Sequence, residues 1–552
     1  MRRDGETGRR ARFRGVWPYG HESSTLSPGT FLIPPSHRFG MPIKNKTLLI
    51  TLFLFIISFF PKFSLMYKGP LHGDALNLAI QSKASLDTGQ LIYQHGTGYP
   101  LATIISASFI WLAERFSIHA PVIAINFMNV FFSSLGTSLL FLFLQQIFDR
   151  KTAVFSCIII LLNPLLLHMS LYGHSQWLSL FFMIAGYLFF FRYLRCRGSH
   201  PLILSAICFG FNAAARLQDF LPCLIPVLFA FFFSPERDQK AAGLNPERND
   251  QKTIGRDAAL FFIVFVLTTL PFYIPMFHKI YTGADAGYYH EYFGPWMMKS
   301  FHSFSLIHLR NQMVYLFKIN SLPGSLAALI GLGILFKKRP RLGIVFCLQI
   351  FIPILIGAGL LFSKPRHFLP SLLFFTVLTG YFLGHFLNKK PWLNRSVATA
   401  VFIALGINLS WAYPYIQLNH NHDFLGGYYR WISTITEPNA CIMVHSPFRL
   451  LVKHYANRQP LPIPVSKRLS PADKHRLQVS LDKKLNNHIP VYIPLLGLHG
   501  HLKGFGFEDF LLQNYTLVFV GENLISDWHV ETIKPNVFNN PLYRITKSSD
   551  KK

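Results

Sequence analysis

Charged residues are scarce in this chain of 552 residues, and acidic residues are the scarcer kind. Asp, Glu, Lys and Arg make up 14% of the sequence, whereas a soluble globular protein carries about 25%. Hydrophobic residues make up 51%, and the chain contains 55 Phe. Runs of roughly 17–25 apolar residues, each long enough to cross a bilayer core, recur through the first 415 positions. The low charge therefore excludes an ordinary soluble protein and predicts a polytopic α-helical membrane protein.

The few charged residues are mostly basic: 53 Lys and Arg stand against 25 Asp and Glu, which gives a formal net charge of +28. Such an excess is also found in nucleic-acid-binding proteins. Here, however, the basic residues lie in short clusters between apolar runs, and clusters of this kind orient membrane helices without any polyanion. We therefore expect membrane lipid as a partner and no nucleic acid.

Cysteine is rare, and the common catalytic motifs are missing. The six Cys residues show neither a disulfide framework nor zinc-ligand spacing. The sequence has no P-loop, no dinucleotide-binding glycine motif and no Gly-x-Ser-x-Gly motif. The His pairs in 419–423 and 499–501 have no third ligand at a fixed spacing. We therefore expect neither a metal nor another cofactor.

Basic clusters separate the apolar segments and set their orientation. Each span moves the chain to the other side of the membrane. All the basic clusters can therefore be cytoplasmic only if segment 98–113 does not cross the membrane. That segment is short, contains Pro100 near its start, and is predicted either to lie at the outer interface as a helix or to dip into the membrane and out again. About eleven spans remain, predicted at 47–66, 120–147, 152–168, 177–194, 201–216, 219–234, 257–277, 313–336, 341–362, 366–387 and 395–413.

Composition divides the chain into three parts. Residues 1–46 are basic and rich in Gly and Pro, and we expect them to be disordered, with Met41 as a natural start. Residues 47–413 form the predicted transmembrane domain. After about residue 431, strand-like and helix-like runs alternate, so residues 414–552 are predicted to form a small α/β domain outside the membrane.

The first external loop carries a carboxylate, Asp74, just after the first span. A carboxylate at this place can take a proton from the hydroxyl of an acceptor substrate. Asp is also a favoured N-cap, and the run after Asp74 is typical of a helix start, so capping is the alternative interpretation. Asp87 lies just before Gly89, and this pairing predicts the end of the same helix.

Two Arg residues lie at predicted external ends of spans. Arg366 stands in "SKPRHFLPS", and its planar guanidinium matches the oxygens of a phosphate. Ionisable groups at membrane depth often mark function, although Arg366 is equally suited to be an interfacial anchor. Arg216 is predicted to be either a snorkelling anchor or half of an ion pair with Asp219.

Three further residues on the external side are candidates for substrate binding. His174 lies in the bend "LYGHSQWL" and can orient or protonate a substrate group, with a polar interfacial turn as the alternative. His72 lies two residues before Asp74. Glu291 lies in the aromatic-rich loop 281–304, which is either a lid or an interfacial aromatic belt.

Three stretches together resemble the GT-C integral-membrane glycosyltransferases of the family-39 kind, which include protein O-mannosyltransferases and aminoarabinose transferases. The stretches are the loop from Asp74 into "GYPLATII", the span pair "LLNPLLLHMSLYGHSQWL" and the late span "KPRHFLPSLLFF". The resemblance covers about 47–413. The chain departs from the family pattern in having one acidic residue in the first loop, a single proline at Pro100, His367 for tyrosine, and Gln176 in place of an acidic residue.

The resemblance implies a GT-C fold and transfer of a sugar, with inversion, from a polyprenyl-phosphate donor to a lipid, glycan or protein acceptor on the external face. Asp74 would be the base, and Arg366 with Arg216 would hold the donor phosphate. The expected location is the bacterial inner membrane, with the active site and the C-terminal domain extracytoplasmic. The alternatives are a transporter or flippase for a lipid-linked sugar and a non-catalytic protein of envelope assembly.

Overall fold

The structure, a computed structural model, describes residues 45–71, 73–92, 99–196, 198–219, 224–225, 227–229, 251–281, 305–359, 365–386, 391–445, 448–463, 470–495, 507–526 and 537–547. Two of the candidate site residues, His72 and Glu291, lie outside these ranges, as does most of the segment 1–46.

The first four helices are α1 (Asn45–Ser64), α2 (Gly73–Thr88), α3 (Pro100–Arg115) and α4 (Pro121–Ile147). The end of α2 confirms the prediction made from Asp87, because Gly89 follows the last helical residue with φ of 65°. The helix predicted over 98–113 begins at Pro100, where the missing N–H of proline costs no hydrogen bond.

The next helices are α5 (Arg150–Leu162), α6 (Pro164–His168), α7 (Ser175–Cys196), α8 (Ser199–Ala215) and α9 (Gln251–Tyr281), with a 3₁₀ turn at Leu217–Asp219. The single span predicted at 152–168 is broken between α5 and α6. Pro164 cannot continue the hydrogen-bond ladder, and the side chain of Asn163 caps α6 by accepting from the amide of Leu166.

The remaining membrane-type helices are α10 (Leu306–Ile319), α11 (Leu322–Lys338), α12 (Pro340–Gly359), α13 (Leu369–Phe386) and α14 (Pro391–Asn421), and a 3₁₀ turn at Pro365–Phe368 leads into α13. The span predicted at 313–336 is instead divided between α10 and α11, which meet at 105°. The break falls at Asn320 and Ser321, where Ser321 has φ of 61° and caps α11.

The chain is an integral membrane protein by the length and composition of its helices. Among the described residues, seven helices are long and apolar enough to span, or up to eight if α10 and α11 form one bent span. The count of about eleven spans stays a prediction. The segment that ends in α13 is 94% buried inside the protein, whereas α1 is 17% buried. The helix α13 is therefore at the centre of the bundle, and α1 faces lipid.

After α14 the chain forms α15 (Phe424–Ile435) and a mixed sheet of five strands. The strand order is β2-β1-β3-β5-β4; β1 pairs in parallel with β2 and β3, and β5 pairs antiparallel with β3 and β4. The strands are β1 (Cys441–His445), β2 (Gln459–Ile463), β3 (Val491–Pro494), β4 (Tyr515–Ser526) and β5 (Val537–Lys547), with α16 (Pro471–Asn486) and α17 (Phe507–Asn514) between them.

The two faces of β1 belong to different hydrophobic clusters. Ile442 and Val444 pack with side chains of α2, α3 and α15, whereas Cys441 and Met443 pack with side chains of α16 and α17. This alternation follows from the two-residue period of a strand. As a result, one face of the sheet belongs to the same hydrophobic cluster as α2, α3 and α15.

Candidate active site

The carboxylate of Asp74 lies at the meeting point of three elements. It is in the first turn of α2, where the dipole of the helix favours a negative charge. Its Oδ2 accepts from Nη2 of Arg366 at 3.1 Å and lies 3.8 Å from Nε2 of His174. The helix begins one residue before Asp74, so the carboxylate is inside the helix and not at the predicted N-cap position. Two residues almost three hundred positions apart thus form one ion pair, as expected from the sequence.

The loop that precedes α2 and the loop that precedes α7 are held together by Asn126, a buried residue of α4. Its Nδ2 donates to the carbonyl oxygens of Tyr67 at 2.7 Å and Gly69 at 3.3 Å. Its Oδ1 accepts from the amide of Gly173 at 2.5 Å. One carboxamide therefore sets the distance between the chain leading to Asp74 and the chain leading to His174.

A second buried Asn, one turn further along α4, holds the same bend. Nδ2 of Asn129 donates to the carbonyl oxygens of Met169 at 2.8 Å and Tyr172 at 2.6 Å. The position between these contacts and His174 must be glycine, because a Cβ at Gly173 would clash with Ile125. These contacts fix the backbone on which His174 stands.

Arg216 lies in a second layer of polar groups, buried behind the ion pair. Its Nη2 donates to Nδ1 of His367 at 3.0 Å, and its Nη1 lies 3.7 Å from Oδ1 of Asp219. Ser179 donates to the other oxygen of Asp219 at 2.6 Å, and Asn212 donates to Oγ of Ser179 at 2.8 Å. The predicted ion pair with Asp219 is thus present. The snorkelling alternative is wrong, since Arg216 is only 1% exposed.

The electrostatics of this site keep His174 neutral at pH 7. Burial lowers the pKa of His174 to about 4, and the nearby guanidiniums of Arg366 and Arg216 act in the same direction, while Asp74 acts against them. For Asp219, burial raises the pKa of the carboxyl, against the opposing effects of Arg216 and of the hydrogen bond from Ser179. The site therefore holds a neutral imidazole and two guanidiniums, each beside a carboxylate. The guanidinium of Arg366 presents donors that match the oxygens of a phosphate anion.

A pocket opens beside the carboxylate, between α2, the start of α3 and the bend before α7. It is small, with a volume of about 10 Å³, and is lined by Asp74, Asn77, Leu78, Gln81, Tyr99, His174 and Ser175. The Asp74–Arg366 pair therefore lies beside a small polar recess.

Four of the six residues predicted for the site, Asp74, Arg366, His174 and Arg216, fall in this one region of the described chain. The roles of Asn126 and Asn129 were missed. Their signal is the spacing of two Asn three positions apart inside an apolar run, which places both on one face of α4. Among the described residues, no group of three or more His, Cys, Asp or Glu is placed to hold a metal ion.

Solved membrane glycosyltransferases have the same fold. The oligosaccharyltransferase of Archaeoglobus fulgidus, solved with a tethered acceptor peptide, aligns over 86% of this chain and 73% of its own with a TM-score of 0.58 and 12% identity. ArnT from Cupriavidus metallidurans, bound to undecaprenyl phosphate, aligns over 90% of this chain and 97% of its own with a TM-score of 0.55 and 11% identity.

A third similar structure is AglB from Archaeoglobus fulgidus, in complex with an inhibitory peptide and a dolichol-phosphate. It aligns over 85% of this chain and 73% of its own, with a TM-score of 0.55 and 13% identity. No protein-family model matches the chain, and no curated protein matches it by sequence. The chain has the fold of the GT-C membrane glycosyltransferases, and the resemblance expected from its sequence is confirmed at the level of the fold.

Proposed function

We propose that this protein is a membrane glycosyltransferase that moves a sugar from a polyprenyl-phosphate donor to a hydroxyl of a lipid, glycan or protein acceptor. The observation that carries the proposal is the 3.1 Å pair between Asp74 and Arg366, with His174 beside it, in a chain that has the GT-C fold. The structures of ArnT with undecaprenyl phosphate and of AglB with dolichol-phosphate support a lipid-linked donor.

In the proposed reaction the acceptor oxygen attacks the anomeric carbon of the donor sugar from the face opposite the phosphate. The bond from that carbon to the phosphate oxygen breaks, and its electrons leave with the phosphate, so the configuration is inverted. Asp74 accepts the proton of the acceptor hydroxyl. Arg366 binds the departing phosphate through its fork of donors, and Arg216 adds positive charge from the second layer.

The sidedness and domain division are part of the proposal. The basic clusters predict that Asp74, Arg366 and the C-terminal sheet lie outside the cytoplasm, where a water-soluble nucleotide sugar is not available. A donor carried by a lipid therefore suits the site. We assign residues 47–413 to the transferase domain and 414–552 to the extracytoplasmic α/β domain, and expect the bacterial inner membrane.

Mass spectrometry of glycolipids and glycoproteins from cells with and without the gene tests the activity. Expression of the wild-type chain should produce a glycoconjugate that disappears with Asp74→Asn at equal protein level, because the substitution removes the base and keeps its shape. The matched control is Asp87→Asn on the same helix, where the carboxylate pairs with Lys83 at 2.6 Å. Unchanged glycoconjugates in the Asp74→Asn cells would contradict the proposal.

Labelling with a membrane-impermeant maleimide tests the orientation. A cysteine introduced as Gln90→Cys, just after α2, should react in intact cells. Native Cys196 is exposed at the end of α7, is predicted to be cytoplasmic, and should react only after the membrane is permeabilised. Reaction of both residues under the same condition would reject the proposed topology.

A further inference from the structure

The end of the helix bundle opposite the candidate active site carries a second group of guanidiniums. The helix α7 begins beside His174 and ends at Cys196, with Arg195 in its last turn. Its 22 residues extend over about 33 Å at a rise of about 1.5 Å per residue, close to the ~30 Å thickness of the apolar core of a bilayer. Arg195 therefore lies at the depth of the lipid headgroups in the leaflet opposite the pair of Asp74 and Arg366.

The packing of the helices brings Arg339, in the turn between α11 and α12, close to Arg195. Nη1 of Arg339 donates to the carbonyl oxygen of Ile147, the last residue of α4. The side chain of Arg339 is half-buried, and its charge repels that of Arg195. Two residues further on, Nη1 of Arg341 is buried and has no hydrogen-bond partner among the described residues. Two turns that are far apart in the sequence thus place like charges near one another.

The carboxylates in the described part of this end do not neutralise the two guanidiniums. Asp149 attracts Arg339, but it is exposed and its side chain caps the start of α5. Asp257 accepts from a tyrosine hydroxyl at 2.7 Å. No described carboxylate acts on Arg195. The orientation of membrane helices requires positive charge in the loops but not half-buried guanidiniums that repel each other. Because charges removed from water need a partner of opposite sign, this arrangement points to an anion from outside the protein.

The neighbouring surface of α11 has an apolar part and a cationic part, as a phospholipid ligand requires. Leu329 and Ile330 are 43% and 49% exposed, and exposed apolar side chains of a membrane helix face the acyl chains. Lys337, which is also exposed, follows Ile330 by about two turns and therefore lies on the same face. Neither a nucleic acid nor a free phosphate would use the apolar part of this surface.

We propose that Arg195 and Arg339 bind the phosphate of an anionic phospholipid, such as phosphatidylglycerol, in the leaflet opposite the active site. Each guanidinium presents a planar set of donors that matches phosphate oxygens. The phosphate places a negative charge between two positive charges that otherwise repel each other. The acyl chains of this lipid lie along Leu329 and Ile330. The inference is independent of the proposed function, because it uses only the end of the bundle that lies away from Asp74.

Native mass spectrometry of the full chain, purified in a neutral detergent and titrated with lipid, tests this inference. The probes are phosphatidylglycerol and phosphatidylcholine with the same acyl chains, and inorganic phosphate is the competitor. Arg195→Gln and Arg339→Gln should each weaken the binding of phosphatidylglycerol about fivefold, because one Lys or Arg near a lipid surface contributes about 1 kcal/mol. The wild-type chain should therefore prefer phosphatidylglycerol to phosphatidylcholine about thirtyfold, roughly fivefold for each of the two guanidiniums.

The matched control is Arg256→Gln, which removes a guanidinium at the same end of the bundle. The side chain of Arg256 is 77% exposed and lies 3.4 Å from the carboxylate of Asp257. Its loss should change the affinity for phosphatidylglycerol less than about twofold, or less than half a kcal/mol. Thermal melts establish that each variant is folded. Should Arg339→Gln not fold, because Arg339 also holds the carbonyl of Ile147, Arg195→Gln decides the outcome.

Three results would overturn the inference. The first is an affinity for phosphatidylglycerol no higher than that for phosphatidylcholine. The second is wild-type affinity for phosphatidylglycerol in the folded Arg195→Gln variant, or a loss in Arg256→Gln as large as the loss in Arg195→Gln, since general surface charge would then attract the lipid. The third is displacement of phosphatidylglycerol by an equal concentration of inorganic phosphate, which would show a site for free phosphate and not for a lipid.

Discussion

Asp74→Asn should increase the affinity of the protein for undecaprenyl phosphate while abolishing transfer. In the structure Arg366 is paired with Asp74 at 3.1 Å. A phosphate that binds the same guanidinium must compete with this carboxylate and is repelled by it. An amide of the same shape neither competes for the guanidinium nor repels the phosphate. The binding free energy of the donor headgroup should therefore become more favourable by the amount of that repulsion.

The size of the effect follows from the geometry. A phosphate oxygen on the far side of the guanidinium lies about 6 Å from the carboxylate, where two negative charges repel by about 3 kcal/mol at an effective dielectric constant of ~20. The side chains of Asp74 and Arg366 are 24% and 11% exposed, so water and salt reduce the repulsion to about 1.4 kcal/mol, or tenfold in affinity. The loss of the base should lower the rate by about 10²–10⁴.

The assay is a binding isotherm for undecaprenyl phosphate on the full chain in nanodiscs, followed by native mass spectrometry or thermophoresis. Asp87→Asn is the control and should bind like the wild type, because its carboxylate pairs with Lys83 and not with Arg366. In an Arg366→Gln background, Asp74→Asn should change the affinity for undecaprenyl phosphate less than it does in the wild-type background. An unchanged or weaker affinity for Asp74→Asn in the wild-type background would show that Arg366 does not hold the phosphate.

Three other substitutions test the rest of the site. Arg366→Lys should weaken undecaprenyl phosphate binding more than acceptor binding, because a point charge replaces the planar guanidinium. Equal losses of affinity for the donor and the acceptor in titrations would contradict a role of Arg366 in phosphate binding. Thermal melts should show stability falling from about pH 6.5 towards pH 4. The reason is that His174 binds a proton in the unfolded chain over this range, whereas burial lowers its pKa to about 4 in the folded chain and keeps it neutral. In His174→Gln this loss should shrink by up to about 3 kcal/mol, and an identical pH profile would disprove the assignment. Asn126→Leu should cost on the order of 3 kcal/mol in unfolding experiments and reduce transfer, because it leaves three backbone groups unpaired, whereas wild-type stability would show that Asn126 does not organise the loops.

The pairing of Asp74 with Arg366 could be predicted from the sequence because two separate constraints apply to it. The basic clusters predict that both residues lie on one side of the bilayer. Ionisable groups near the apolar phase seldom remain unpaired. The partner of Arg216 at Asp219 was predictable for the same reason and because the two residues are three positions apart. The contact with His367, which is 151 positions away, depends on how the helices pack and has no local signal.

The breaks in the helices were harder to predict than the helices. An apolar run gives the presence of a membrane helix but says little about a bend within it, so the run 313–336 was predicted as one straight span. The turn at Asn320 and Ser321 contains only two polar residues, and Asn320 is satisfied by Thr379 on α13. Likewise Asn126 is an ordinary polar residue in an apolar sequence until the loops that it holds are known.

The two partners of the central ion pair differ in how much freedom they have. Arg366 leads into α13, in which every residue from Leu369 to Gly384 is buried. The backbone of Arg366 is therefore held in place by the packing of this helix. Asp74 stands on α2, which contacts the short helix Arg449–Leu451 between β1 and β2. If binding of the donor separates the pair, we therefore expect α2 to move and α13 to stay in place. The short helix Arg449–Leu451 is thus the contact through which the C-terminal region would influence the position of Asp74.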